Sequence, residues 1–300
     1  MRIGIYRGDA SNGPIEKLIS AARDAADAGY ASFWLPQTMG MDAMTALAVV
    51  GHEIPGIELG IAVVPTFPRH PIVMAQQALT TQAITGGRLT LGIGLSHQPI
   101  IEGSYGYSFE KPVRHMREYL EALLPLVRDG AVSYVGETVT ARIGLDVRGS
   151  SPVRVLLAAL GPKMLELAGG MADGTATWMT GPATLAHHVV PTIRVAAATA
   201  GRPAPTIGAG FPVCVTDDVD AARARAAETF AIYGTLPSYR AMLDREGADG
   251  PGDIAIVGDE ESVRDQIAAL GGIGVTELIA SIFGSREERD RTYAFLSTLL

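Results

Sequence analysis

The residues able to do chemistry in this sequence stand directly after short apolar runs, and they are chemically modest. Gln37-Thr38 follow Trp34-Leu35-Pro36, and Thr66-Phe67-Pro68-Arg69-His70 follow Ala62-Val63-Val64-Pro65. Leu95-Ser96-His97 follow Gly92-Ile93-Gly94, Gly161-Pro162-Lys163 follow Ala158-Ala159-Leu160, and Thr180-Gly181 follow Trp178-Met179. No pair of carboxylates ends two such runs, as the two-carboxylate chemistry of glycosidases would need. No G-x-S-x-G nucleophile elbow or phosphate-binding P-loop occurs. Several His or carboxylate ligands would be required for a divalent ion, and they are missing from these positions. His187 and His188 are adjacent on a helix, where neighbours diverge, and read as surface residues. The single cysteine, Cys214, lies in the apolar run Phe211-Pro212-Val213-Cys214-Val215 and reads as a buried, inert thiol.

A rim of small, apolar and hydroxyl groups suits a large flat cofactor, which brings reactivity the side chains lack. Gly161-Pro162 before a helix, with Lys163 beside them, can offer free amides to a phosphate; a plain turn into a helix would look the same. Gly92-Ile93-Gly94 is too short for a dinucleotide fingerprint and equally suits close packing at a strand end. Arg69 and His70 could meet a cofactor tail or cap the helix that follows.

What must position these groups is an alternation of strands and helices. Strand-like runs occur at Ile3-Tyr6, Ser32-Leu35, Ile57-Val64, Leu89-Ile93, Val153-Ala158, Gly174-Trp178, Ile207-Val215 and Thr276-Ile282. Most are continuous in Val, Ile, Leu and Ala, as parallel strands covered on both faces should be. Helical periods fill Pro14-Ala28, Pro71-Ile84, Arg114-Arg128, Pro162-Met171, Asp217-Phe230 and Glu260-Leu270. Eight strands in this order favour a closed (β/α)₈ TIM barrel over an open doubly wound sheet, with function at the C-terminal strand ends. Three stretches exceed a minimal barrel. Gln98-Pro112 lacks pattern, Gly130-Ser151 holds a hairpin from Val132-Val135 and Thr138-Thr140, and Pro237-Gly252 contains Gly247-Ala248-Asp249-Gly250-Pro251-Gly252, which reads as a mobile loop. No break in composition divides the 300 residues, so one domain with insertions is expected.

Composition narrows the partners. At 47% hydrophobic and 19% charged, the chain has material for a large core, which excludes disorder. Its 24 basic and 32 acidic residues leave a net charge of -8, unfavourable for nucleic acid or an anionic membrane. The first residues read as a strand rather than a signal peptide, and no uncharged apolar stretch reaches roughly 18–20 residues. A cytoplasmic protein is expected.

With these residues in view, the chain resembles the coenzyme F420-dependent oxidoreductases of the bacterial luciferase-like superfamily. The likeness runs through Ala26-Asp27-Ala28-Gly29-Tyr30, Phe33-Trp34-Leu35-Pro36-Gln37 and Leu59-Gly60-Ile61-Ala62-Val63. It continues in Pro65-Thr66-Phe67-Pro68-Arg69-His70-Pro71, Gly87-Arg88-Leu89-Thr90-Leu91-Gly92-Ile93-Gly94, Leu160-Gly161-Pro162-Lys163-Met164 and Ala172-Asp173-Gly174. The resemblance implies a deazaflavin lying across the barrel mouth, with a cis peptide at Ala62-Val63 behind its central ring. It implies cofactor contacts from Gln37, Ala62, Val63, Gly94, Leu95, Ser96, Gly161, Pro162, Lys163, Thr180 and Gly181. His97 matches the place of a proton donor in sugar-phosphate-oxidising relatives, so its imidazole is the catalytic candidate. Thr38, where those relatives carry histidine, and Pro182-Ala183, where they carry a lysine region, argue against a sugar phosphate as substrate. Hydride transfer between F420 and a small organic molecule is therefore expected. FMN-dependent monooxygenation and a non-catalytic binding role stand as alternatives. A homodimer is implied too.

Overall fold

A computed structural model describes residues 1–300, apart from the side chains of residues 10 and 11. Its strands are β1 (Arg2–Tyr6), β2 (Ser32–Leu35), β3 (Glu58–Pro65), β4 (Leu89–Gly94), β5 (Ala131–Val135), β6 (Thr140–Gly144), β7 (Arg154–Leu157), β8 (Gly174–Trp178), β9 (Thr206–Val215), β10 (Ile256–Gly258) and β11 (Glu277–Ile282). Helices α1 (Ile15–Asp27), α2 (Ala43–Glu53), α3 (Pro71–Ile84), α4 (Gln98–Gly103), α5 (Pro112–Asp129) and α6 (Pro162–Gly170) lie in the first half. They are followed by α7 (Pro182–Thr184), α8 (Val190–Thr199), α9 (Val219–Thr229), α10 (Ala231–Thr235), α11 (Pro237–Glu246), α12 (Glu260–Ile273) and α13 (Arg286–Ser297). A π-helical turn, Leu185–Val189, joins α7 to α8.

Parallel pairing runs β11-β1-β2-β3-β4-β7-β8-β9, and β9 pairs back to β11, which closes a TIM barrel. The expected strands all form, displaced by no more than one residue at either end. β9 is long enough to pair with β8 along its first half and with the extra strand β10 along its second, so this side of the wall stands taller. β2 and β4 are buried along their whole length, the polar Ser32 and Thr90 included.

The barrel's lower interior is filled by Trp34, which packs with Leu156, Ala176 and Ile279. Glycine at 4 and 60 makes room for the indole, since a Cβ at either would run into it. Below, the Trp34 N–H reaches Ser32 Oγ at 2.7 Å and the buried Glu277 carboxylate at 3.0 Å, and Ser32 donates to the same carboxylate. The floor is therefore solid, and the strand C-termini above it are the open end.

The insertions differ from expectation in detail. The second arm of the hairpin begins at Thr140 rather than Thr138, because residues 137–139 form a turn clamped by one carboxylate. Glu118 accepts from the backbone of Glu137, Thr138 and Val139 and from the Thr138 hydroxyl. The Pro237-Gly252 segment is helix α11 as far as Glu246 and loop from Gly247 onward. Its remainder is tied down by Arg240, which donates to the Ala248 and Asp249 carbonyls, and by Asp253, which accepts from Asp249 N and Gly250 N. No helix of the described residues is long and apolar enough to cross a membrane.

Candidate active site

The barrel mouth has two unlike walls. The first is made by β3, β4 and β7. The Ala62-Val63 peptide is cis, and the β3–β4 register shifts between Ile61 and Val64. Gly94 permits this approach: a Cβ there would stand 2.7 Å from Val63 Cγ2 and 3.2 Å from the Ala158 methyl. Leu95 packs on the core, and Ser96 takes a left-handed turn (φ 60°) that carries the chain to His97 at the start of α4. Beyond β3, Phe67 stacks on His115 with ring centres 4.0 Å apart, and His115 Nε2 lies 3.0 Å from Thr66 Oγ1. Burial there pushes His115 down to about 4, so it is neutral at pH 7.

After β7, Gly161 caps α6 without a side chain, and a Cβ at this position would meet open space. Pro162 fits the first helical turn, whose leading amides have no intrahelical acceptor, and Lys163 is exposed beside them. The carbonyl just before this turn, Leu160 O, is held by a 2.7 Å hydrogen bond in which His188 Nε2–H donates. That corrects the surface reading of the histidine pair. His187 is exposed, but His188 is buried, brought inward in the π-helical turn with Leu185 and Val189. Leu185, His188, Val189 and Thr192 have the spacing of one helix face, a signal present in the sequence.

The second wall is aromatic and was missed. Tyr6 at the end of β1 stacks on Trp178 at the end of β8, with centroids 5.6 Å apart and planes 23° apart. Phe230 and Tyr233 meet Trp178 edge-on at 5.8 and 5.9 Å, Tyr239 meets Tyr233 at 5.0 Å, and His97 lies 5.8 Å from Tyr239. Helices α10 and α11 thus roof the mouth. Burial raises the Tyr6 and Tyr239 phenols far above their ordinary range and lowers His97. All three groups are consequently neutral at pH 7.

A carboxylate fastens this roof. Glu246 at the end of α11 accepts from Ala183 N at 3.0 Å and Thr184 N at 2.6 Å, filling the amide turn at the start of α7. Gly181 is packed against Glu246 with no space for a Cβ, and Thr180 is buried, its hydroxyl donating to Trp178 O at 3.2 Å. Met179 (φ 51°) packs beneath with Leu243, Ala248 and Ile254. Gln37 sits beyond β2, its carboxamide oxygen accepting from Ala43 N at 2.9 Å. His70 Nδ1 accepts from Ile72 N, so the helix-capping alternative holds for His70, whereas Arg69 pairs with the Asp42 and Gln77 side chains and caps nothing. Cys214 is buried, its thiol pushed up to about 11 mainly by desolvation.

At the opposite end of the barrel, a groove of about 700 Å³ is lined by Arg88, Arg128, Arg154, Arg202, Glu58 and Asp173. Its cations are engaged in the fold: Arg128 and Arg202 share Asp173, and Arg88 ties three backbone carbonyls around α2. That face serves stability.

The profile of the luciferase-like monooxygenases matches residues 3–277. The chain belongs to this family. A Mycobacterium tuberculosis protein assigned by name to the coenzyme F420-dependent oxidoreductases is 27% identical, over 97% of each chain. A 5,10-methylenetetrahydromethanopterin reductase of Methanolobus tindarius is also 27% identical, over 96% of this chain and 87% of its own. Among solved structures, the F420-dependent tetrahydromethanopterin reductase of Methanopyrus kandleri superposes with a TM-score of 0.81 at 23% identity, over 99% of this chain and 96% of that one. At that identity the superposition carries the fold. The protein is a luciferase-like oxidoreductase.

Proposed function

We propose that the protein is an F420-dependent oxidoreductase that moves a hydride between the deazaflavin and a small organic substrate. The observation that carries this is a mouth whose polar tips are phenols, hydroxyls, an indole, imidazoles, a carboxamide and the Lys163 ammonium, in a chain aligned end to end with F420-named relatives. Side chains of this kind orient and protonate but supply no electron pair. The mouth fits a flat ring: Gly94 and Ala158 leave the first wall smooth, and the α6 turn beside it is free of any internal cap. F420, when bound, supplies hydride chemistry at its C5 carbon.

The chain does the rest. Ala62, Val63, Gly94, Leu95 and Ser96 would form the surface that holds the ring. The Gly161 and Lys163 amides and the Lys163 ammonium would hold the phosphate of the tail, with Pro162 setting the first turn of α6. Gln37, Thr180 and Gly181 border the site; of these, Gly181 faces Glu246 and can reach a ligand through its backbone alone. His97 holds or releases a proton at its imidazole nitrogen. The aromatic roof excludes water above the wall. Two copies pair through α2 and α3, where Val49, Val73 and Ile84 are exposed, and sedimentation at a single species of doubled mass is the expected result.

Anaerobic calorimetric titration separates the cofactors. F420 binding at one per chain is expected. Tight FMN binding without F420 binding, together with oxygen uptake on reduced FMN, would replace this reading by a flavin monooxygenase. Failure of both to bind would leave a non-catalytic binding protein.

A further inference from the structure

We propose that the aromatic wall is the substrate-binding surface and that it selects an uncharged, planar carbonyl compound, with Tyr6, Trp178, Tyr233 and Tyr239 as specificity-determining residues. The inference rests on the oxidoreductase reading for the direction from which hydride arrives, and on the geometry of the wall for the rest.

Four separate elements, β1, β8, α10 and α11, bring these rings together. Each ring is half-buried and so keeps a free surface. Such a set stacks on a flat conjugated molecule better than on a flexible one, because planar contact costs little conformational freedom. The Trp178 indole N–H is buried and makes no hydrogen bond of good geometry in the structure; the Tyr233 hydroxyl oxygen is within reach as a weak acceptor. A buried donor of this kind is matched by an acceptor oxygen. Tyr6 and Tyr233 both meet Trp178 and Tyr239 meets Tyr233, and burial keeps the Tyr6 and Tyr239 phenols protonated as donors. The surface therefore offers donors and apolar faces, the complement of a carbonyl on a ring.

It offers no counter-charge. Arg7, beyond Tyr6, is paired with Asp9, and Arg240 on α11 is engaged with Asp244 and two carbonyls. His97 is neutral, and the acid beside the roof, Glu246, would repel an anion. A carboxylate placed here would lose its water and gain no cation.

The test uses the full chain and a matched pair of probes, coumarin and coumarin-3-carboxylate, titrated by calorimetry with and without F420. Coumarin is expected to bind about tenfold more tightly than its carboxylate, or better. Trp178→Phe, which keeps a ring but removes the N–H, and Tyr239→Leu should each weaken coumarin by about fivefold or more while leaving F420 titration unchanged. Equal or tighter binding of the carboxylate, absence of coumarin binding, or coumarin affinity unmoved by both variants would overturn the proposal. If coumarin follows the expected pattern but F420 does not bind, the wall's selectivity stands and the cofactor assignment falls.

Discussion

Replacing Gly94 by alanine tests the first wall at its tightest point. The new methyl would lie 2.7 Å from Val63 Cγ2 and 3.2 Å from the Ala158 methyl, whereas carbon atoms rest about 3.5–4.0 Å apart. Val63 is β-branched and stiff about χ1, so the misfit passes to backbone and neighbours. Overpacking of this size costs about 1–3 kcal/mol. For a chain of this length that is a fall in Tm of roughly 2–5 °C, with the fold intact. If the cofactor ring rests on Val63, the same displacement is felt by the ligand, and 1–3 kcal/mol becomes a roughly 5- to 150-fold weaker Kd for F420. Calorimetric unfolding and F420 titration of the same sample measure both. Val63→Ala removes the opposing methyls, so the Gly94→Ala/Val63→Ala double variant should recover about 1 kcal/mol of the combined loss. Full loss of stability with unchanged F420 affinity would refute placement of the ring on this wall. Additivity of the two substitutions would refute the contact itself.

Glu246→Ala should loosen the roof by about 1–2 kcal/mol and Glu246→Gln by less, seen as roughly tenfold faster hydrogen exchange at Ala183 and Thr184 for alanine. His188→Ala leaves the Leu160 carbonyl without its donor; a Tm loss of about 2–5 °C is expected, with F420 affinity falling further than in a stability-matched core variant and partial rescue by glutamine. His115 has a folded value of about 4, below its unfolded 6.5, so its contribution is complete above pH 6.5 and disappears as pH falls towards 4. Discounted for partial exposure, this is on the order of 1–2 kcal/mol, and His115→Phe should flatten the Tm–pH curve across that window. His97 is lowered by burial, so a step needing its protonated form should gain rate as pH falls below 6.5; His97→Gln should lose that rise and about 10²-fold in turnover.

The barrel was legible because its strands are continuous in branched apolar residues and separated by helices of regular period. Val153-Ala158 can be placed largely on that ground, whereas Gly174-Trp178, with threonine at 175 and 177, is placed by its turn in the alternation. The cis peptide at Ala62-Val63 was reachable only through resemblance, since no local composition marks it. The aromatic roof was not legible. Tyr6 and Tyr239 are distant in sequence, and the helices that bring Tyr233 and Tyr239 over the mouth are short, broken by Gly234 and Pro237, and weak in period. Glu246 carries no signal in the sequence, because its partners are backbone amides of another element, which leave no trace in side-chain patterning. Gln98-Pro112 failed for the same reason as the roof: one short helix, α4, sits in it without a repeating apolar face.

A crystal structure of the chain grown with F420 tests the central claim most directly. The expected result is the deazaflavin's central ring against Val63 and Gly94, its phosphate at the α6 turn, and the space above C5 bounded by Tyr239 and His97. A ring bound elsewhere, or a mouth still filled by the aromatic roof with F420 absent at saturating concentration, would contradict it.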